Sequence, residues 1–282
     1  MKFCADVPNF GIWSDPRRFA DFAARLEAAG WDGISVWDHI LVEDGMEVAD
    51  PWVLLTAAAM VTDRIKLMSM VTPLPRRHPW KLARECVSVD IASEGRLILG
   101  VGIGWPTDPE FTRFHGPEDL RTRADMLDEG LDILMGLWSG EPFAFHGEHY
   151  DLEEVTFMPK PIQQPRIPLW AAAMWPSRRP VRRAARLDGV APIFFDMDTG
   201  EFSPPTPAGI GEIAEYVSAH RGSDEPFDIA VSAAHFPGED ISEEVAQYEA
   251  VGTTWWRDSW VPGMGPTADE WMADVLEGPP DR

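Results

Sequence analysis

Residues 2–30 read KFCADVPNFGIWSDPRRFADFAARLEAAG, and the two halves of this stretch have different periods. Residues 2–7 form a short apolar run suited to a strand. Ser14 or Asp15 then offers an N-cap, with Pro16 at the first helical position. Phe19, Phe22, Ala23, Leu26 and Ala29 follow at helical spacing, and Gly30 stands where a C-terminal cap is expected. A strand feeding straight into an amphipathic helix is half of a βαβ unit, so the stretch predicts a parallel sheet covered by helices.

The alternation recurs along the chain. Strands are expected over residues 34–37, 65–71, 97–101, 168–174, 190–195, 227–232 and 253–257, and helices fall between them. Asp50-Pro51 and Pro79 open two of these helices, others are expected at about 120–138, 207–220 and 241–250, and Thr267 with Glu270 forms a capping box for the last. Eight strands alternating with eight helices, without a linker-like stretch, predict one α/β domain over residues 1–282. Its expected form is a (β/α)₈ TIM barrel rather than two doubly wound domains. Residues 143–165 interrupt the rhythm and read as a β-hairpin and extended loop inserted before the fifth strand.

A chain of 282 residues is long enough to bury a real core, and 45% apolar with 25% charged residues excludes disorder and coiled coil. The net charge of −23 argues against nucleic acid or an anionic membrane as partner. No apolar run approaches the roughly 20 residues of a membrane helix, and the N-terminus lacks the apolar core of a signal peptide. Two cysteines, Cys4 and Cys86, make no disulfide framework and have no metal-ligand spacing. A cytoplasmic enzyme with free thiols is the expectation. The histidines have no metal-site spacing, no metal is expected, and neither a G-x-S-x-G elbow nor a P-loop is present.

Active sites of such barrels sit at the carboxyl ends of the strands. The second strand ends Trp37-Asp38-His39, a carboxylate beside an imidazole that titrates near neutral pH; a capping Asp with a packed His reads equally from the dipeptide. Three prolines in residues 73–79 stiffen the loop after the third strand, as a ligand wall or as a rigid turn. Gly102-Ile103-Gly104 would let a ligand approach the backbone after the fourth strand. After the fifth strand, Arg178, Arg179, Arg182, Arg183 and Arg186 form a positive island at a helix start, where free N–H groups favour phosphate. Arg178, Arg182 and Arg186 share one helix face, so pairing with acidic neighbours is the competing account. The chain has 13 tryptophans. Trp13, Trp37, Trp105 and Trp175 fall near strand ends, predicting an aromatic-lined mouth for a flat cofactor and an apolar or aromatic substrate, with Trp13, Trp105 and Trp175 in the substrate pocket.

These strand ends, taken in order, resemble the bacterial luciferase-like family of flavin-dependent oxidoreductases. The matching pieces are residues 8–11 (PNFG), 35–40 (SVWDHI), 77–79 (RHP), 95–105 (GRLILGVGIGW), 145–147 (FHG), 159–161 (PKP), 168–170 (PLW) and 182–186 (RRAAR). The resemblance implies FMN or the deazaflavin coenzyme F420 in the barrel mouth, and Trp37-Asp38-His39 is closer to the F420-dependent branch. By the same resemblance, Asp38 and His39 lie near the reacting edge of the cofactor; the pair itself, at a strand end facing the glycine segment, is expected to act with His39 exchanging a proton and Asp38 orienting it. Ser69-Met70 carries a non-prolyl cis peptide behind the ring system, with Thr72 nearby. Gly102, Ile103, Gly104, Ala172 and Ala173 lie along the cofactor, and Ser177, Arg178 and Arg179 meet its phosphate. The family commonly has Gly-Gly where this chain has Ala172-Ala173.

The expected activity is F420-dependent hydride transfer to or from a small organic substrate. The alternatives are an FMN-dependent monooxygenase using reduced flavin and oxygen, a non-catalytic flavin-binding protein and, against the motif evidence, a metal-dependent barrel hydrolase. A homodimer, and a separate reductase that supplies the reduced cofactor, are what the family suggests.

Overall fold

In the computed structural model, which describes residues 1–105, 109–196 and 199–280, eight parallel strands close into a barrel. The elements run β1 (Lys2–Val7), α1 (Pro16–Ala28), β2 (Gly33–Val36), α2 (Pro51–Ala59), β3 (Lys66–Pro73), α3 (Pro79–Ala92), β4 (Leu97–Gly102), α4 (Pro109–Thr112) and α5 (Leu120–Trp138). There follow β5 (Pro142–His146), β6 (Asp151–Thr156), β7 (Leu169–Trp175), α6 (Arg178–Ala184), β8 (Gly189–Asp196), β9 (Glu201–Phe202), α7 (Pro207–His220), β10 (Asp228–Ala233), α8 (Ser242–Ala250), β11 (Trp255–Ser259) and α9 (Ala268–Val275). The order β10-β11-β1-β2-β3-β4-β7-β8 is closed by pairing of β8 with β10, so the barrel expected from sequence is the fold.

The expected caps hold the helices. Asp15 accepts from the Arg17 N–H and Asp50 from those of Trp52 and Val53, each with a proline at the next position. Thr267 and Glu270 form the expected capping box on α9. The β5–β6 hairpin lies where the rhythm breaks, and Glu129 of α5 accepts from the N–H groups of Glu148, His149 and Tyr150 in its turn.

Two cores result from the alternation of strand side chains. Inside the barrel, Cys4, Met68, Met70, Ile98, Trp170 and Trp255 form one cluster, with the two tryptophan rings 5.8 Å apart. A Cβ on Gly189 would sit 2.5 Å from Trp170 Cδ1, so glycine there makes room for the indole. The larger core lies between barrel and helices. Burial pushes both the Cys4 and Cys86 thiols up, away from reactive thiolate. Among the described residues no helix is long and apolar enough to cross a membrane.

One ion cluster ties the barrel to its last helix. His235, after β10, faces Asp258 of β11 with Nδ1 at 2.9 Å and Asp274 of α9 with Nε2 at 3.1 Å. The hydrogen bond to Asp258 raises its pKa to about 9, against burial. A pKa raised on folding gives stability that is complete below the ordinary value near 6.5 and is lost as pH rises through 9. We expect urea unfolding of the wild type at pH 10 to show a loss on the order of 2–3 kcal/mol relative to His235→Asn, compared with the same difference at pH 6. An identical pH dependence of the two proteins contradicts this.

Candidate active site

A cavity of about 620 Å³ opens at the carboxyl ends of β2, β3, β4, β7 and β8. Its walls are mostly apolar, with Met70, Val71, Ile103, Trp105, Met174 and Ile193 among the lining residues. The size and lining are those of a small-molecule or cofactor site.

Its polar edge is built from three strand-end segments. Asp38, after β2, is 2% exposed, and its carboxylate accepts from Arg76 Nη2 at 2.6 Å and from Arg77 Nε and Nη2 at 2.9 and 2.7 Å. Burial works against the charge of Arg77, and the Asp38 carboxylate outweighs it, holding the guanidinium above its ordinary pKa. Glu110, from α4, is 1% exposed and is ion-paired with Arg76. The Glu110 carboxylate also accepts from the N–H groups of Ile40 and Leu41 at 2.8 and 3.0 Å. The Nδ1 atom of His39 lies 3.1 Å from the same oxygen, and the His39 side chain, 37% exposed, borders the cavity. Asn9, after β1, completes the frame: its amide donates to the His39 carbonyl at 2.7 Å and accepts from the His39 N–H at 3.1 Å.

Asp38 and His39 therefore divide their roles differently from the expectation. The Asp38 carboxylate turns to Arg76 and Arg77, and Glu110 is the carboxylate that touches the His39 ring. Nothing in Pro109-Glu110-Phe111 marks Glu110 in the sequence. A helix of four residues carries no period, and only closure of the barrel brings it to β2.

The other expected site residues separate along the same lines. Gly102, Ile103, Gly104, Ala172, Ser177, Met70 and Trp105 border the cavity, as does Trp37. The cis peptide joins Met70 and Val71, one residue beyond the expected Ser69-Met70, within the register shift between β3 and β4. Ser69 and Thr72 are buried and joined by a 2.6 Å hydrogen bond, away from the cavity lining. Ala173 and Trp175 alternate with Ala172 and Met174 along β7 and face the outer core. Trp13 is fully buried in that core, its ring 4.7 Å from Phe22.

Most of the arginine island is paired. Arg179 binds Asp125 at 2.5 Å, Arg183 binds Asp128 at 2.5 Å and Arg186 lies 3.3 Å from Asp132, so α6 and the turn after it match an acidic face of α5. The Arg178 guanidinium lies over the Trp175 ring at 4.2 Å and the Tyr216 ring at 5.0 Å. Pairing with acidic neighbours thus accounts for three of the five arginines. Ser177, the N-cap of α6, borders the cavity and makes no capping bond with its side chain.

The cavity fits a flat ring system. A Cβ on Gly102 would lie 2.9 Å from Val71 Cγ2 and 3.6 Å from Ala172 Cβ, so the glycine keeps this wall shallow where Met70 and Val71 approach. Met70, Val71, Gly102, Ile103 and Ala172 would hold the ring faces, and Ser177 the polar tail. Among the described residues no group of three or more potential ligands is placed to hold a metal ion.

A family model described as luciferase-like monooxygenase matches residues 8–271. An uncharacterized protein of Mycobacterium tuberculosis is 40% identical over 129 residues, which are 45% of this chain and 44% of that one. A protein of Amycolatopsis mediterranei named F420-dependent glucose-6-phosphate dehydrogenase is 30% identical over 179 residues, covering 62% of this chain and 52% of that one. The chain thus spans about half the length of these curated relatives. A solved F420-dependent secondary alcohol dehydrogenase, in complex with an F420-acetone adduct, superposes with a TM-score of 0.80 at 16% identity, covering 98% of this chain and 97% of that one. At that identity the likeness is one of fold.

The ion network yields a stability prediction. Asp38→Ala leaves two half-buried guanidinium groups without their shared carboxylate and is expected to cost about 2–4 kcal/mol in urea unfolding. A cost below 1 kcal/mol, as for an exposed pair, contradicts the structural role of Asp38.

Proposed function

The chain belongs to the luciferase-like monooxygenase family, and we propose from that premise that it is an F420-dependent oxidoreductase acting on a small, neutral, apolar alcohol or carbonyl compound. One observation carries the substrate side of this reading. Among the described residues, the charged side chains bordering the cavity are already matched: Asp38 by Arg76 and Arg77, Glu110 by Arg76 and His39, and Arg183 by Asp128. Among the described residues that border the cavity, no arginine or lysine is left to meet a substrate phosphate or carboxylate, whereas the apolar walls favour an uncharged molecule. A sugar phosphate, the substrate in the name of the Amycolatopsis relative, suits this cavity poorly.

F420 is favoured over FMN by the curated relatives named for it and by the Trp37-Asp38-His39 segment. When bound, the deazaflavin accepts or returns a hydride. His39 supplies the proton side of the reaction. In the oxidative direction it takes the proton of the substrate hydroxyl as the carbon loses its hydride, and in the reductive direction it gives the proton to the forming alkoxide. Glu110 accepts a hydrogen bond from Nδ1–H, which stabilises the imidazolium formed when His39 takes up the second proton. The apolar walls exclude water, strengthening these charge interactions at the moment of transfer.

Two measurements test the reading. Absorbance titrations of the purified protein with F420 and with FMN are expected to show saturable binding of F420; tight FMN binding without F420 binding overturns the cofactor assignment and favours the oxygen-using alternative. His39→Ala is expected to lower kcat by about 10²- to 10⁴-fold with F420 affinity unchanged. An unchanged kcat removes His39 from proton transfer.

A further inference from the structure

We propose that Phe202, the last residue of β9 and paired with Phe195 of β8, is a positioning residue that holds Trp105 as the outer wall of the cavity and so sets the bulk of alcohol admitted. The proposal rests on the neutral-substrate reading above and adds the residue that gates size. Trp105 borders the cavity and follows Gly104, whose φ of +77° turns the chain there. The Trp105 backbone is anchored, since Arg123 Nη1 donates to its carbonyl at 2.7 Å. The position of the indole is then left to side-chain contacts.

Those contacts form a closed triangle of rings. Phe202 stacks on Trp105 at 4.8 Å and 26°, Phe195 meets Trp105 edge-on at 5.1 Å and 84°, and Phe195 and Phe202 lie 5.4 Å apart at 72°. The hairpin is built to present this pair. Phe195 and Phe202 stand directly opposite each other in the antiparallel register, which puts both rings on one face. The two strands are joined on either side of this pair by the Gly200 N–H donating to the Asp196 carbonyl at 2.8 Å and the Ser203 N–H donating to the Phe194 carbonyl at 3.1 Å. Phe202 is 64% exposed. A lone exposed aromatic needs no explanation, but this one is stacked on a residue that borders the cavity. An aromatic pair of this geometry biases its partner by roughly 2- to 10-fold.

The test uses the full chain without cofactor, so its outcome does not depend on turnover. With 5-fluorotryptophan incorporated, the Trp105 fluorine resonance is assigned by its loss in Trp105→Phe. Phe202→Ala is expected to move that resonance toward the unfolded-chain position, and Phe202→Tyr to keep it in place. Titrating cyclohexanol and diphenylmethanol against the same resonance gives the ratio of their Kd values. Phe202→Ala is expected to shift this ratio at least threefold toward the bulkier alcohol, with Phe202→Tyr restoring it. A resonance unmoved in Phe202→Ala, or an unchanged Kd ratio, overturns the proposal. Absence of turnover with F420 and any alcohol counts against the oxidoreductase reading, while the ratio still decides the role of Phe202.

Discussion

Two carboxylates buried to within 2% exposure, Asp38 and Glu110, dictate the rest of the mouth. A buried ion without a partner costs several kcal/mol; Arg76 reaches both carboxylates and Arg77 reaches Asp38. Those arginines follow β3, Asp38 follows β2 and Glu110 belongs to α4 after β4. The need to match charge therefore locks three neighbouring strand ends together. His39 is carried on the locked segment, its ring against Glu110 and its backbone against Asn9. A titratable group on a rigid support, beside an apolar cavity, is what proton exchange with a neutral substrate requires.

The barrel itself was legible because it follows from local periodicity and punctuation. Asp15-Pro16, Asp50-Pro51 and Thr267 with Glu270 mark helix starts by their own chemistry, and α5 and α7 run over the residues their spacing predicts. Gly102 and Gly104 could be placed at the mouth because in this fold strand ends and site coincide.

What the sequence did not disclose depends on which neighbour a side chain meets. Asp38 and His39 are adjacent in the chain yet serve different partners, and Glu110 is 71 residues from the imidazole it touches. Trp13 and Trp175 lie near strand ends but on the outer side of the wall, a distinction that one position in a strand reverses. The arginines after β7 look free until α5 is laid beside them, with Asp125, Asp128 and Asp132 at matching spacing. Phe202 gave no signal, because a two-residue strand is too short to show a period.

Hydride transfer from an uncharged substrate to a bound deazaflavin is the step on which the proposed function rests. The most direct measurement is single-turnover reduction of F420 by a neutral secondary alcohol deuterated at the carbinol carbon. The prediction is that the label appears on the cofactor and that reduction is slower than with the unlabelled alcohol. Reduction by glucose 6-phosphate but by no neutral alcohol, or oxygen consumption with reduced FMN and no transfer to F420, would contradict it.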